Sequence, residues 1–410
     1  MRILMLAQFY LPMIGGEERH VRNLSLALVA RGHHVVVVTL QQGNTPARED
    51  DQGIQVYRIH ASMQRANILY SEKGRQHIPP FPDPEALLAL HKIIQQVKPD
   101  IIHAHNWIVH SFTPLKAWSS AKLVVTLHDY SLVCATKRLM YENAVCRGPA
   151  FSKCLQCATA HYGAGKGIPT VLSNRFAAEV ERRTVDMFLP VSQAVAEGTQ
   201  LTRSKVPHIV VPNFIPDNLA ELSNPEHPFL EWLPEGDFIL FVGELARDKG
   251  VEVLLRAYAQ LKSPIPLVLI GRRVRDFVPE LPANVYVLYD WPHEAVLAAW
   301  QRSTIAVAPS IWSDPCPTVA MEAMCMGKPV IASRIGGLAD IVKHGETGLL
   351  FPPGDILALR AALERLIDNS QYRERMGELA KQRVVWFQAQ TIVPRIECIY
   401  QDMVALNALP

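Results

Sequence analysis

No stretch of this sequence approaches the roughly 20 consecutive apolar residues that a membrane-spanning helix needs. The first strand-like run, Arg2–Ala7, is soon followed by Gly15-Gly16 and a polar helical segment, which is not the pattern of a secretory signal. The formal net charge of +2 gives no strong excess of positive charge, which argues against nucleic acid as the main partner. We therefore expect a cytoplasmic protein, with peripheral contact at the inner face of a membrane left open.

The length of the chain and the order of its apolar runs predict two α/β domains. A chain of 410 residues exceeds the size at which one core usually keeps growing. Strand-like runs alternate with helical stretches from residue 2 to a last predicted strand over 208–211, and again from residue 238 to residue 308. This alternation indicates parallel sheets with helices on both faces. Residues 213–234 are rich in Pro, Asn and charge and have no clear period, so we place the domain boundary near there.

Residues 309–330 form the candidate chemical centre. The sequence predicts a strand over 304–308, then a loop with three prolines, then a helix from Thr318 that ends at Gly327. Loops at the carboxyl ends of parallel strands bind ligands, and the amino end of a helix offers free N–H groups to an anion. Asp314 and Glu322 would repel a phosphate there, so we interpret them as hydrogen-bond acceptors for the hydroxyls of a ribose or a hexose. A nucleotide sugar contains both.

Two further segments are candidates for contact with phosphate. Glycines at Gly15-Gly16 would let the backbone approach a phosphate, although on this motif alone a tight strand-to-helix turn is the favoured interpretation. No G-x-G-x-x-G fingerprint is present, which weakens the case for a dinucleotide dehydrogenase. Arg247 and Lys249 would share one face of an extended backbone and reach one diphosphate; otherwise they are solvated loop charges.

Histidines follow two of the predicted strands. His103 and His105 end one strand, and His128-Asp129 follows the next. Because the carboxyl ends of parallel strands meet at one edge of the sheet, we expect these side chains to face the cleft. A histidine there could equally be a satisfied structural side chain.

Four of the seven cysteines, namely Cys134, Cys146, Cys154 and Cys157, lie within 24 positions and end in C-x-x-C. In a reducing compartment such clusters bind Zn²⁺ more often than they form disulfides. A structural zinc clamp is therefore one interpretation of the cluster, and buried or paired thiols are the other.

Taken in order, these segments resemble glycosyltransferase family 4, whose members are retaining enzymes of the GT-B fold. The first family motif is matched by Gly15-Gly16 and residues 31–39. The family's phosphate loop is matched by residues 241–250, and its E-x7-E element by the segment from Asp314 to Glu322. Other matching pieces follow in the family's order, at residues 99–105, 186–192, 211–213, 327–333, 336–337 and 345–350. The resemblance thus covers nearly the whole chain.

The resemblance implies two Rossmann-like parallel-sheet domains that face each other across a cleft. It assigns residues 1–213 to the acceptor side, 214–385 to the nucleotide-sugar side and 386–410 to a last helix that crosses back. Glu322 matches the family's ribose-binding glutamate, Lys249 its phosphate lysine, His105 the histidine near the donor sugar, and Gly16 a backbone contact to the diphosphate. The wider implied sets are His105, Lys249 and Asp314 for catalysis, His128 and Asp129 on the acceptor side, and Gly15, Gly16, Arg247, Lys249, Arg272, Asp314, Pro317, Thr318, Val319 and Glu322 for the donor.

Two positions depart from the family pattern. Asp314 stands where the family more often has Glu, and Glu244 stands where many members have a phosphate-binding Arg. The second change puts an anion beside the leaving group, and Arg247, Arg272 or Arg273 are candidates to compensate for it.

The activity that the resemblance implies is transfer of a hexose-type sugar, with retention, from a nucleotide sugar to an acceptor hydroxyl. The donor is expected to be a UDP- or GDP-sugar, and the acceptor a glycan, a lipid-linked acceptor or a small molecule. No D-x-D motif is present to hold a metal ion, so no cofactor is expected for catalysis. A sugar-nucleotide epimerase, a glycan phosphorylase and a non-catalytic nucleotide-sugar binding protein are the alternatives.

Overall fold

The structure is a computed structural model that describes residues 1–13, 15–65, 78–142, 144–272 and 280–405. Arg273 and residues 406–410 of the predicted last helix lie outside these ranges. Within them the strands are β1 (Arg2–Ala7), β2 (His34–Leu40), β3 (Arg48–Asp51), β4 (Ile54–Ile59), β5 (Ile101–His105), β6 (Lys122–Leu127), β7 (Met140–Tyr141), β8 (Ala144–Val145), β9 (Met187–Pro190), β10 (Ile239–Val242), β11 (Leu267–Gly271), β12 (Val285–Tyr289), β13 (Ile305–Ala308), β14 (Val330–Ser333) and β15 (Gly348–Phe351). The helices are α1 (Gly16–Ala30), α2 (Pro84–Val97), α3 (Val109–Phe112), α4 (Phe151–Tyr162), α5 (Ala164–Thr184), α6 (Gln193–Gly198), α7 (Val251–Tyr258), α8 (His293–Arg302), α9 (Thr318–Cys325), α10 (Leu338–Ile341), α11 (Ile356–Ile367), α12 (Ser370–Arg383) and α13 (Ala389–Ala405).

The first sheet has the strand order β3-β4-β2-β1-β5-β6-β9. Every neighbouring pair in it is parallel except β3 and β4. β1 and β2 are nearly continuous apolar runs and are buried along almost their whole length, as strands covered by helices on both faces must be. The antiparallel edge was not predicted. It arises because Gln52 and Gly53, both at positive φ, form the two-residue turn that suits a hairpin.

The second sheet has the order β12-β11-β10-β13-β14-β15, and all its pairs are parallel. β10 therefore lies between β11 and β13, so that the loops after these strands open at one edge of the sheet. The expected architecture of two Rossmann-like parallel-sheet domains is confirmed, with an antiparallel strand added to the first sheet.

The last helix, α13, packs on the first sheet. Ile392 and Ile396 share a core with residues of β1, β2 and α1. Arg31, just after α1, donates from Nε to Oε2 of Glu397 at 2.6 Å. Tyr400 is fully buried against the same sheet. The chain thus returns to the first sheet after it completes the second.

Two parts of the first half differ from the sequence prediction. The strand predicted over 208–211 forms a single isolated bridge between His208 and Phe188, because Pro207 and Pro212 cannot donate hydrogen bonds to a ladder. The hairpin β7–β8 and the helices α4 and α5 occupy residues 140–184, where no elements were predicted. No helix within the described ranges combines the length and the apolar character needed to cross a bilayer.

Candidate functional site

The loop that joins β13 to α9 brings both predicted carboxylates to the open edge of the second sheet. Asp314 lies in the loop and Glu322 lies one turn into α9, with 7% and 5% of their surfaces exposed. The loop packs against Gly336, whose φ is +56°. A β-carbon at Gly336 would lie only 2.2 Å from the carbonyl oxygen of Asp314, so that only glycine permits this approach.

Lys249 forms an ion pair with Asp314. Its Nζ lies 2.5 Å from Oδ2 of Asp314 and 5.2 Å from the centre of the Trp312 ring. Burial alone would lower the pKa of Lys249, but the charge of Asp314 and the hydrogen bond to it outweigh burial and raise the pKa. Lys249 therefore supplies a fixed positive charge at this end of the cleft.

Arg247 does not share a face with Lys249 as predicted. Residues 247–250 form a turn in which the Gly250 N–H donates to the Arg247 carbonyl at 2.9 Å. The prediction is wrong because alternation of faces holds only for an extended backbone. The Arg247 side chain is 77% exposed, whereas that of Lys249 is 24% exposed.

Glu244, the position where the resemblance has Arg, faces a cation. Oε1 of Glu244 lies 3.5 Å from Nη2 of Arg272, and both side chains are more than half exposed. The Leu245 N–H also donates to the Arg272 carbonyl at 3.1 Å, which holds the two segments side by side. Glu244 is thus paired with the guanidinium of Arg272, which directly follows the neighbouring strand β11.

A pocket of about 290 Å³ lies between the two sheets. Gly16 lies on its first-sheet wall, and Thr318, Glu322 and His293 lie on the opposite wall. Oε1 of Glu322 and Nε2 of His293 are 3.2 Å apart. A β-carbon at Gly16 would contact no described atom within 4 Å, so the backbone there borders open space. The pocket therefore combines a buried carboxylate, an imidazole and an accessible backbone.

The amino end of α9 borders the same pocket. Pro317 precedes the helix, and among the described residues no side chain caps it. Pro317, Thr318 and Val319 are all partly exposed. The first N–H groups of α9 are therefore left for an anion or for water.

On the first-domain side, His105 and His128 contact each other. Nδ1 of His105 lies 3.0 Å from Nε2 of His128, and Nε2 of the fully buried His105 has no hydrogen-bond partner among the described residues. Burial lowers the pKa of both imidazoles, that of His128 to about 4, so both are neutral at physiological pH. Asp129 is partly exposed and accepts a hydrogen bond from the Ser131 N–H at 2.8 Å, which shapes the loop after β6.

His103, which the sequence also placed at the cleft, is a structural side chain. It is fully buried, with Nδ1 at 2.5 Å from the Tyr400 hydroxyl and Nε2 at 2.7 Å from the Thr126 hydroxyl. Both of its nitrogens are thus occupied within the core. The prediction that His103 faces the cleft is wrong because the side chains of β5 are also covered by α13.

Three polar residues that the sequence analysis did not select lie near the Gly15-Gly16 turn. Asn106, at φ of +65°, donates from its amide to Glu17 at 3.0 Å and accepts from Nζ of Lys137 at 2.5 Å. Burial, followed by the charge of Glu18, raises the pKa of Glu17 to about 7. The one feature of the sequence that could have selected Glu17 as a site residue is its position directly after the glycine pair.

Contacts across the cleft join the two domains near Asp314. The Tyr130 hydroxyl lies 2.5 Å from the Ser313 hydroxyl, and Arg138 forms an ion pair with Asp248. The loop after β6 thereby contacts both the Asp314 loop and the turn that precedes Lys249. Residues from the first domain complete the site of the second.

The described part of the chain shows no metal site at the four-cysteine cluster. Among the residues that the structure describes, which include all four thiols, no three His, Cys, Asp or Glu side chains are placed to hold a metal ion. Cys146 and Cys157 instead donate to the carbonyls of Gly148 and Met140. Burial, followed by the charge of the neighbouring Cys134, raises the pKa of the Cys157 thiol. The described thiols thus contact backbone carbonyls, and a structural zinc at Cys134, Cys146, Cys154 and Cys157 stays a prediction that the structure does not show.

Two family models match the chain. The model described as Glycosyltransferase Family 4 matches residues 14–219, and the model described as Glycosyl transferases group 1 matches residues 224–383. The first match covers about half of the chain, and the two together include every strand of both sheets except β1.

The chain is also similar to characterised proteins along most of its length. Glycogen synthase of Mycobacterium tuberculosis (strain ATCC 25618 / H37Rv) is 28% identical, over 98% of this chain and 94% of that protein. D-inositol 3-phosphate glycosyltransferase of Arthrobacter sp. (strain FB24) is 26% identical, over 89% and 85%. Among solved structures, sucrose-phosphate synthase from Thermosynechococcus elongatus has a TM-score of 0.73 at 21% identity, covering 99% of both chains. Anabaena HepE in complex with UDP-glucose has a TM-score of 0.66 at 19% identity, covering 100% of both.

Proposed function

The chain belongs to glycosyltransferase family 4, and we propose that it transfers a hexose-type sugar from a nucleotide sugar to an acceptor hydroxyl with retention of the anomeric configuration. The observation that carries the proposal is the Lys249–Asp314 pair, which sets a fixed cation against a buried carboxylate beside the open amino end of α9. A diphosphate needs the cation of Lys249 and the N–H groups of the helix end. A sugar hydroxyl needs the carboxylate of Asp314 as a hydrogen-bond acceptor.

We assign the nucleoside of the donor to the pocket between the sheets. Glu322 accepts hydrogen bonds from the ribose diol there, and Thr318, Val319 and the residue before them, Pro317, form the helix end that meets the phosphates. The backbone of Gly15 and Gly16 approaches the diphosphate from the opposite wall. Lys249 contacts the phosphate next to the sugar, and Arg247 and Arg272 add positive charge at the rim.

In the proposed reaction the bond between the anomeric carbon and the β-phosphate oxygen breaks while the acceptor oxygen bonds to the same face of the sugar. The sugar becomes oxocarbenium-like, and the departing phosphate gains negative charge that Lys249 and the α9 N–H groups stabilise. The acceptor proton passes to the departing phosphate oxygen, so that the products are the glycoside and the nucleoside diphosphate. His105 lies near the donor sugar, and Asp314 accepts hydrogen bonds from its hydroxyls.

The proposal also covers the base of the donor nucleotide and whether transfer needs a metal ion. UDP- and GDP-sugars are the donors that we favour, and the UDP-glucose held by the structurally similar Anabaena protein supports the first of them. Because Lys249 supplies the charge that a metal ion would otherwise supply, we propose that transfer needs no Mg²⁺.

The division of labour between the domains is proposed as 1–213 for the acceptor, 214–385 for the donor, and 386–410 as the segment that returns to the first domain. His128 and Asp129 would then lie on the acceptor side. Glycogen synthase and the inositol phosphate glycosyltransferase, the similar proteins, act on very different acceptors, so the acceptor is left as a hydroxyl of a glycan, a lipid-linked acceptor or a small molecule.

Two measurements test the proposal. A thermal-shift panel of UDP, GDP, ADP and their hexose conjugates should single out one base, since a ligand at about 100 times its Kd adds about 2.7 kcal/mol to the free energy of unfolding. With that donor, the release of nucleoside diphosphate should depend on an added acceptor and persist in EDTA. Release of an altered nucleotide sugar without any acceptor would indicate an epimerase, and binding without turnover on any acceptor would indicate a non-catalytic protein.

A further inference from the structure

Helix α5 exposes its largest apolar side chains, while its buried face mixes smaller apolar residues with polar ones. Ile168, Leu172 and Phe176 recur every four positions and are 43%, 50% and 74% exposed. The buried residues of the helix are Gly167, Thr170, Val171, Asn174, Ala177 and Glu181. An ordinary surface helix has the reverse arrangement. The exposed stripe of Ile168, Leu172 and Phe176, which we call the α5 stripe, therefore has no explanation within the fold itself.

The segment around the α5 stripe is strongly basic. Residues 147–184 contain six Lys and Arg residues against two Glu, whereas the whole chain has a net charge of only +2. One of the two acids, Glu181, is buried, and burial raises its pKa to about 8, so it adds little negative charge at neutral pH. The segment that contains the α5 stripe thus carries more net positive charge than the chain as a whole, although Arg183 is already paired with Glu179 at 2.7 Å.

A groove of about 450 Å³ is lined by another part of helix α5, including Arg175, the neighbour in sequence of Phe176. Leu132, Phe151 and Val171 contribute apolar wall, and the cations Arg175 and Arg182 lie along the same groove. Phe151 is itself 51% exposed. An apolar groove lined in part by guanidinium groups matches a molecule with an acyl chain and an anionic head group.

We propose that the α5 stripe docks on an anionic phospholipid bilayer. Phe176, Leu172 and Ile168 would enter the boundary between head groups and acyl chains, while the flanking Lys and Arg residues contact the phosphates. A second copy of this chain is a poorer occupant, because a two-fold interface would bring this basic surface against itself. The proposal concerns a surface of the first domain and is independent of the reaction proposed above.

The test is co-sedimentation of the full chain with vesicles of phosphatidylcholine alone and of phosphatidylcholine mixed with phosphatidylglycerol. Binding should be seen with the anionic vesicles and should decrease as salt is added. Leu172→Ser with Phe176→Ser should weaken it about tenfold or more through lost apolar burial. Arg175→Glu should weaken it to a similar extent through charge reversal.

Matched variants on the second domain control for general effects of losing an exposed apolar group or a cation. Leu357→Ser in α11 removes a side chain that is 62% exposed, and Arg375→Glu reverses an exposed charge in α12. Neither should alter vesicle binding. Equal loss in these controls, equal binding to both kinds of vesicle, or a concentration-dependent dimer that the α5 substitutions abolish would each overturn the proposal. Because Phe176 is 74% exposed, Phe176→Ser alone gives a folded variant for the comparison.

Discussion

At the scale of single residues, Glu322, which lies beside His293, allows the proposed ribose contact to be tested without unfolding the protein. Glu322→Gln keeps the shape of the side chain but removes its charge, so the hydrogen bonds to the ribose diol weaken by about 1 kcal/mol or more. We expect the affinity for the nucleoside diphosphate, measured by calorimetry, to fall about tenfold while the melting temperature of the free protein stays nearly constant. An unchanged Kd in both Glu322→Gln and Glu322→Ala would reject the assignment of Glu322 to the ribose.

The ion pair of Lys249 and Asp314 gives a second prediction, in which stability and turnover separate. Lys249→Ala should reduce kcat by about 10²–10³-fold, as for the loss of one preorganised group at a developing anion. It should also lower the free energy of unfolding, because Asp314 is left as a buried charge without its partner.

The double variant Lys249→Ala, Asp314→Asn separates the two effects. It removes both charges, so urea denaturation should show most of the lost stability restored, while the turnover assay should show no recovery. Recovery of turnover together with stability would mean that Lys249 acts only on the fold.

The sequence offered candidate residues for this site but did not show how they pair. Asp314 and Glu322 could be selected because a proline-rich loop and a following helix mark the carboxyl end of a strand. Lys249 was selected on separate grounds and His293 was not selected; neither could be paired with its carboxylate, because the partners lie 65 and 29 positions apart in sequence. The pairing depends on which strands become neighbours, and that is a property of the whole sheet.

At the scale of elements, Gly336 supports the Asp314 loop, which yields a third prediction. Gly336→Ala adds a β-carbon 2.2 Å from the Asp314 carbonyl at φ of +56°, so the loop must shift. A displacement of about 1 Å at a catalytic group can cost about 10²-fold in rate, so we expect kcat to fall to that extent. The free energy of unfolding should fall as well.

Gly354→Ala is the matched control, since Gly354 has φ of +79° and no described atom within 4 Å of its β-carbon position. It should show the backbone cost of about 1–2 kcal/mol without the loss of turnover. If both variants retain full kcat, the close approach of Gly336 does not position Asp314.

Elements with an ordinary pattern were predicted well, and elements with an unusual pattern were not. β1 and α8 have the predicted bounds because apolar periodicity and flanking turn residues agree there. Helix α5 was missed because its large apolar residues face outward and Pro169 lies inside it. A search for an apolar inner face does not find a helix whose buried residues include Thr170, Asn174 and Glu181.

At the scale of the whole molecule, the domain architecture followed from the sequence, but the contacts between the domains did not. Alternating strands and helices were sufficient to predict two parallel sheets. The contact between Tyr130 and Ser313 joins residues 183 positions apart, and no local sequence pattern predicts it. Contacts of this kind depend on how two finished domains meet.

Buried histidines make the stability of the whole molecule sensitive to acid. His20, His103, His105 and His110 are at most 4% exposed, and burial lowers the pKa of each, to about 3 for His103 and His110. Below about pH 6.5 the unfolded chain binds protons at these imidazoles that the folded chain does not bind. The free energy of unfolding should therefore fall as the pH decreases, by up to about 1.4 kcal/mol per pH unit for each histidine.

Buried Glu181 acts with the opposite sign, and the balance gives the last prediction. Burial raises its pKa to about 8, so between about pH 4.5 and 8 the folded chain keeps a proton that the unfolded chain has released, and stability falls as the pH rises. Below pH 6.5 the four histidines outweigh this effect; above it Glu181 acts together with Glu17, whose pKa is about 7. Denaturation across this range should give a maximum in the free energy of unfolding near pH 6.5. Glu181→Gln, which stays neutral, should flatten the decline toward pH 8 and leave the acid side unchanged; a decline that is the same in this variant would show that Glu181 is ionised in the folded protein.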